Sequence, residues 1–169
     1  MSNRVSLRDN HRLRVYRAEQ RVRDLFDAAD HTGERTIEVF DARITMPVEK
    51  RMADLEQAAA YLDGVLALRA VRRRLSRAGI AVTIRARKGH TAAHYEPDTH
   101  TIAIPMQRPS EVRELLLLHE LAHHLQPPVS VAHGPQFCRV YCDLVRRVLG
   151  PEPAWLLRAC LIDSGASYH

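Results

Sequence analysis

The sequence predicts one globular domain that contains both helices and strands. Segments whose apolar residues recur about every 3.6 positions are interspersed with short segments in which apolar and polar residues alternate. The 169 residues are enough for one domain with a sizeable core. Their composition, 46% hydrophobic and 27% charged, is that of ordinary globular proteins. We therefore expect a single domain over residues 1–169, in which residues 1–33 form a basic N-terminal helical segment.

The first half of the chain is expected to form two helices and one strand. Apolar residues at helical spacing predict a helix over residues 12–29. Alternating apolar and polar side chains predict a strand over residues 36–45. Asp54 can cap the helix that follows it, because its carboxylate can accept a hydrogen bond from the first turn. This helix is expected to extend to Arg77 or to break near Arg69.

A hairpin is expected at the start of the second half. Residues 91–104 contain two alternating segments on either side of Pro97 and Asp98. With those two residues as the loop, Tyr95 would lie opposite His100. The other elements expected in this half are a strand over residues 80–87 and helices over residues 110–126, 135–149 and 153–163.

The charge of the chain is unevenly distributed. The net charge is +5, and residues 1–88 contain 19 basic against 12 acidic residues, whereas residues 89–169 contain 6 against 8. A basic half of this kind is compatible with nucleic acid or an acidic partner. The arginine cluster between Arg69 and Arg77 has no interleaved aromatic residues, so base stacking is not supported. We expect nucleic-acid binding to be weak and non-specific at most.

Several features favour a cytoplasmic protein without a membrane partner. Residues 1–14 are polar and rich in arginine, unlike a secretory signal. No apolar run approaches the roughly 20 residues of a membrane span, and the leucine run over residues 115–118 ends at a histidine. The three cysteines are too few for a disulfide framework and fit a reducing compartment. Cys138 and Cys142 are expected to be small buried hydrophobic residues.

The helix predicted over residues 110–126 contains the sequence His119-Glu-Leu-Ala-His123, which has the form H-E-x-x-H. Residues four apart leave one face of a helix, so both imidazoles can reach a single Zn²⁺ ion. Glu120 follows the first histidine and can act as the general base toward the water at the metal. The apolar residues around the motif give a buried helix no structural reason to carry these three polar side chains.

His133 is the expected third ligand. It follows the chain reversal at Pro127-Pro128 and directly precedes the next predicted helix, which would bring it back over the first helix. Three histidines leave the fourth coordination position for water, as in catalytic rather than structural zinc sites. His124 leaves the shared helix face, so we interpret it as a core residue or a support for the ligands. Asp143 and Glu152 are weaker ligand candidates.

These residues carry a resemblance to known proteins. The H-E-x-x-H helix followed by His133-Gly134-Pro135-Gln136-Phe137 resembles zincin metallopeptidases of the SprT-like and WLM type. The wider pattern after the first thirty residues looks similar to an actinobacterial family of small metallohydrolases. The resemblance implies an α+β, zincin-like fold, in which a small antiparallel or mixed sheet packs against the active-site helix with further helices. It also implies that an edge strand lines the cleft, with the hairpin over residues 91–104 as the candidate.

The function implied by the resemblance is a zinc-dependent metallohydrolase that is peptidase-like and acts on a peptide or protein substrate. Its metal ligands would be His119, His123 and His133, with Glu120 as the catalytic base. Regulators of the ImmA/IrrE type have similar helices, so the first alternative is a regulatory zincin-domain protein that acts on or binds a DNA-associated partner. The second alternative is a metal-stabilised binding module without turnover.

A hydrolase of this kind also needs a group that stabilises the developing oxyanion. The candidates that the sequence offers are Tyr95, Tyr141, His94 and His100, and the sequence does not select among them.

Overall fold

The computed structural model describes residues 2–89, 92–106, 112–166 and 168, and the side chains from residue 10 onward. Within these residues the fold is α+β, with six α-helices and two small sheets. The helices are α1 (Ser2–Thr32), α2 (Leu55–Ala67), α3 (Arg69–Arg74), α4 (Glu114–Leu125), α5 (Pro135–Val148) and α6 (Pro151–Asp163). The strands are β1 (Thr36–Val39), β2 (Ala42–Thr45), β3 (Thr83–Arg87), β4 (His94–Glu96) and β5 (Thr101–Pro105).

The chain divides into two compact units. One comprises Met1–Val48 with Val129–His169, and its helix α6 packs against α1, α5 and β2. The apolar residues buried in it include Val22, Phe26, Phe137, Leu144 and Leu157. The other unit, Glu49–Pro128, contains α2, α3, α4 and the sheet of β3, β4 and β5.

The helix predicted over residues 12–29 is confirmed and is longer, since α1 runs from Ser2 to Thr32. The prediction of one continuous strand over residues 36–45 is wrong, because β1 and β2 form an antiparallel hairpin there. Phe40 and Asp41 make the turn with φ of 49° and 57°. A two-residue turn with both φ positive matches the twist of the strands but is usually made by Asn-Gly or Asp-Gly. The pair Phe-Asp therefore gave no turn signal.

The helix predicted after Asp54 is confirmed at its start. The Asp54 side chain accepts a hydrogen bond of 2.8 Å from the backbone nitrogen of Gln57. Of the two courses expected for this helix, the break near Arg69 is confirmed and the continuous extension to Arg77 is wrong, since Leu68 has φ −57° and ψ 125° and separates α2 from α3. A 3₁₀ turn, Ser76–Gly79, follows α3.

The hairpin predicted over residues 91–104 is confirmed, but its register is wrong. β4 pairs with β5 so that Glu96 faces Thr101 and Tyr95 faces Ile102. The loop therefore has four residues rather than two, and His100 at its end has φ of 51°. Because the shift is by two residues, each side chain stays on its expected face. β5 also pairs in parallel with β3, which makes this sheet mixed.

The three C-terminal helices are confirmed with small changes at their ends. α4 begins at Glu114, and the start predicted at residue 110 lies outside the described residues. Its end before Pro127 and the start of α5 at Pro135 agree with the prediction. α6 begins at Pro151, two residues earlier than predicted. Among the described helices, none is both long and apolar enough to span a membrane.

Candidate metal centre

Helix α4 carries three of the four residues that the sequence predicts for the site. His119 and Glu120 are almost completely buried, and His123 is partly exposed. The ring centroids of the two histidines are 5.1 Å apart, with the planes at 65°. The i,i+4 spacing therefore puts both imidazoles together on one face of the helix, as predicted.

The N-terminal end of α4 is held by a buried carboxylate. Oε1 of Glu49 accepts a hydrogen bond of 2.9 Å from the backbone nitrogen of Leu115. Oε2 of Glu49 accepts a hydrogen bond of 2.7 Å from Nε of Arg113, and both side chains are buried. The carboxylate thus satisfies a donor of the first helical turn, where negative charge is favoured.

The other end of α4 is held by His124, which is fully buried. Its Nε2 lies 3.0 Å from the carbonyl oxygen of Ile80, and since a carbonyl only accepts, Nε2 is the donor. Nδ1 then accepts from the Tyr95 hydroxyl at 3.0 Å. The Tyr95 oxygen in turn accepts from Nδ1 of His100 at 2.8 Å. Burial lowers the pKa of His124, against the raising effect of the Ile80 hydrogen bond, so the ring is neutral.

His133 lies in the loop before α5, with φ of 59° and with only 7% of its surface exposed. Its ring makes edge contacts with Tyr16 and Phe137, at centroid distances of 5.4 and 5.0 Å. Gly134 follows it at a close approach, since a Cβ there would lie 3.1 Å from the carbonyl oxygen of Val131. The small residue before Pro135 therefore lets the loop turn tightly into α5.

The side chains of His119, His123 and His133 lie close enough to bind one metal ion. One ligand nitrogen from each is within 4.8 Å of the others. Among the residues that the structure describes, this is the only group of three or more such ligands with that spacing. The donor set fits the group that the motif implies, because three imidazoles suit Zn²⁺ and leave one coordination position for another ligand.

The other residues predicted as ligand or catalytic candidates are held elsewhere. Asp143 accepts hydrogen bonds of 2.9 and 3.0 Å from Arg147. Glu152 accepts from the backbone nitrogen of Thr45 at 3.2 Å. Neither belongs to the histidine cluster. His94 and His100, two of the four oxyanion candidates, do not belong to it either.

Each oxyanion candidate has a defined neighbour. Tyr141 is fully buried and packs on Phe137, with ring centroids 5.6 Å apart. Nδ1 of His94 lies 2.8 Å from Arg87, and its Nε2 lies 3.1 Å from the Glu96 carboxylate. Tyr95 and His100 belong to the hydrogen-bond chain of His124.

Cys138 and Cys142 are buried, as predicted, and Cys160 is buried as well. Burial raises the pKa of Cys138 to about 11 and that of Cys142 to about 12. Both thiols are therefore protonated at neutral pH, which makes them poor metal ligands and poor nucleophiles.

The arginine cluster divides into two kinds of residue. Arg69, Arg72, Arg73 and Arg74 are exposed and form no ion pair within the described part of the chain. Arg77 instead donates a hydrogen bond of 2.7 Å from its Nε to the carbonyl oxygen of His124. Part of the basic cluster therefore supports α4 rather than facing solvent.

Sequence reasoning missed Gln126. Its side chain is 8% exposed, and its Nε2 lies 3.4 Å from Nδ1 of His123. The spacing of three residues from a predicted ligand on one helix was the signal that could have found it.

The chain was compared with protein-family models, with curated proteins and with solved structures, and none of the three comparisons gives a match.

Proposed function

We propose that this protein is a zinc-dependent metallohydrolase with a zincin-like fold, acting on peptide or protein substrates in the cytoplasm. The observation that carries the proposal is the convergence of the His119, His123 and His133 nitrogens within 4.8 Å, with Glu120 adjacent to a ligand on the same helix. A purely structural zinc site uses four protein ligands, whereas three suit a catalytic one.

In the proposed reaction, His119, His123 and His133 would hold the ion. A zinc ion bound by such a set would supply Lewis acidity, which would polarise a carbonyl group and lower the pKa of water toward roughly 7. The Glu120 carboxylate accepts a proton from the attacking water and delivers it to the leaving amine. Because Glu120 is only 3% exposed, little bulk water competes for this carboxylate.

Strand β4 is the proposed docking edge for an extended substrate. It lies at the edge of the three-stranded sheet and packs against α4. An extended peptide can add to such an edge through main-chain hydrogen bonds. This arrangement favours a peptide over a compact small molecule.

The test of the proposal is the substitution Glu120→Gln. It keeps the size of the side chain but removes the base, so turnover of a substrate found with a peptide library should fall by at least roughly 100-fold. The zinc content of the same sample should equal that of the parent protein, and a chelator should abolish the parent activity. Parental turnover with zinc bound would contradict the mechanism. Loss of zinc would instead favour a metal-stabilised binding module.

A second candidate is a regulatory protein that acts on or binds a DNA-associated partner. The observation that favours it is the exposed set of four arginines around α3, which could contact an anionic surface. Such contacts would involve phosphates and weaken steeply with salt. A DNA complex that persists at physiological salt would therefore place this candidate first.

A further inference from the structure

Gln126, the C-cap residue directly after α4, contacts one of the proposed ligands. Its Nε2 lies 3.4 Å from Nδ1 of His123. Its Oε1 is buried and has no hydrogen-bond partner among the described residues. A buried amide oxygen without a hydrogen-bond partner lowers the stability of the fold by roughly 1–3 kcal/mol. Such an oxygen is therefore normally hydrogen-bonded in a native protein.

A metal-bound His123 would provide a hydrogen-bond donor for this oxygen. A neutral imidazole has one proton, and when one nitrogen binds a metal the other carries it. Since Gln126 lies beside Nδ1 of His123, Nε2 is the nitrogen left for the metal. Nδ1 then becomes a donor, and it would face the NH₂ group of Gln126, which is also a donor.

A half-turn of the Gln126 amide about its last side-chain bond prevents these two donors from facing each other. The two ends of the amide are nearly equal in size, so the turn exchanges oxygen and nitrogen without repacking. Oε1 then accepts a hydrogen bond from Nδ1–H of His123. Metal-binding histidines generally donate their second nitrogen to an oxygen in this way, which fixes the tautomer and the ring orientation.

We propose that Gln126 is a positioning residue of the metal centre, whose side-chain oxygen accepts from Nδ1 of His123 and commits Nε2 of that ring to the metal. The inference rests on the proposed function, since it requires that His123 is a ligand. It adds a residue that touches neither the ion nor the substrate.

The experiment measures the zinc affinity of the full chain by competition with a chromogenic chelator. Gln126→Met removes the acceptor at similar length and should weaken zinc binding about 10- to 100-fold. Gln126→Glu restores an acceptor oxygen and should recover the parent affinity. The control Gln20→Met alters an exposed amide on α1 that pairs with Asp24, and it should leave the affinity unchanged.

A second readout is the tautomer of His123 in the zinc-loaded parent protein, observed by ¹⁵N NMR. The expected state has the proton on Nδ1, and this result decides the question even if Gln126→Met does not fold. A proton on Nε2, equal zinc affinity of parent and Gln126→Met, or no recovery in Gln126→Glu would overturn the inference while leaving the zinc site intact. A parent protein that binds no zinc would overturn the proposed function itself.

Discussion

His123 and His124 are neighbours in the chain and have opposite surroundings. His123 is partly exposed and lies with His119 and His133 within reach of one ion. His124 is fully buried, and both of its ring nitrogens are engaged by Tyr95 and Ile80. Since about 100° of helix rotation separates adjacent residues, one turn of α4 can serve both the site and the core.

The buried thiols make stability depend on pH at the alkaline end. Burial, and to a smaller extent Cys138, raises the pKa of Cys142 from 9.0 to about 12 in the folded protein. A raised pKa means that the folded state holds the proton more tightly. The stability that this contributes is therefore complete below about pH 9 and is lost as the pH rises toward the folded value.

We expect the free energy of unfolding to fall between about pH 9 and pH 11, by up to about 1.4 kcal/mol per pH unit for Cys142. Urea titrations at several pH values measure this slope. The control is Cys142→Ala, in which the slope should be shallower by that amount. An unchanged slope in Cys142→Ala would show that the thiol does not contribute.

The convergence of the three candidate ligands was predictable from the sequence, but the contact that Gln126 makes with one of them was predictable only in part. The four-residue spacing of His119 and His123 predicts that both lie on one helix face. The position of His133 before Gly134-Pro135 predicts that it lies at the start of the next helix. The three-residue spacing pointed to Gln126, but its contact with His123 depends on the side-chain conformation at the end of α4, which the sequence pattern does not contain.

Helix α4 is fixed at both ends. Glu49 and Arg113 hold its start, and the Tyr95 and Arg77 hydrogen bonds to His124 hold its end. A rotation of about 10° would move an atom about 6 Å from the helix axis by about 1 Å. Metal–ligand distances tolerate only about 0.2 Å, so a fixed helix suits the candidate site.

Removing the carboxylate at the start of α4 should destabilise the fold. We expect Glu49→Ala to lower the free energy of unfolding by about 3–5 kcal/mol, because it takes this buried partner from the Arg113 guanidinium. Chemical denaturation measures the change. Glu34→Ala, at an exposed carboxylate, is the matched control and should stay within about 0.5 kcal/mol. Equal effects of the two substitutions would contradict this role of Glu49.

Element types were more predictable than their connections. The periodicity of residues 12–29 and the cap at Asp54 identified helices correctly, because both signals are local. The hairpin at Phe40 and Asp41 was missed because its positive φ angles are held at residues that usually avoid them. There the Phe40 ring packs on Trp155 and beneath the Arg21 guanidinium. Those contacts join residues that are distant in sequence.

For the molecule as a whole, the resemblance implied the α+β class, and the presence of both helices and strands followed from the two periodicities along the chain. The parallel pairing of β3 with β5 did not, since two strands of similar composition can pair in either direction. The excess of basic residues in the first half was visible in the sequence. The structure was needed to show that the arginines on α3 are exposed, whereas the half-buried Arg77 donates a hydrogen bond to α4.

Metal analysis of the purified protein measures whether His119, His123 and His133 hold one zinc ion. We expect about one zinc per chain, sharply weakened binding in His133→Ala, and unchanged binding in His94→Ala, whose histidine pairs with Arg87 and Glu96 instead. A parent protein without zinc would rule out the proposed zinc site. So would a His133→Ala variant that binds zinc as tightly as the parent, and Asp143 or Glu152 would then be the ligand to examine.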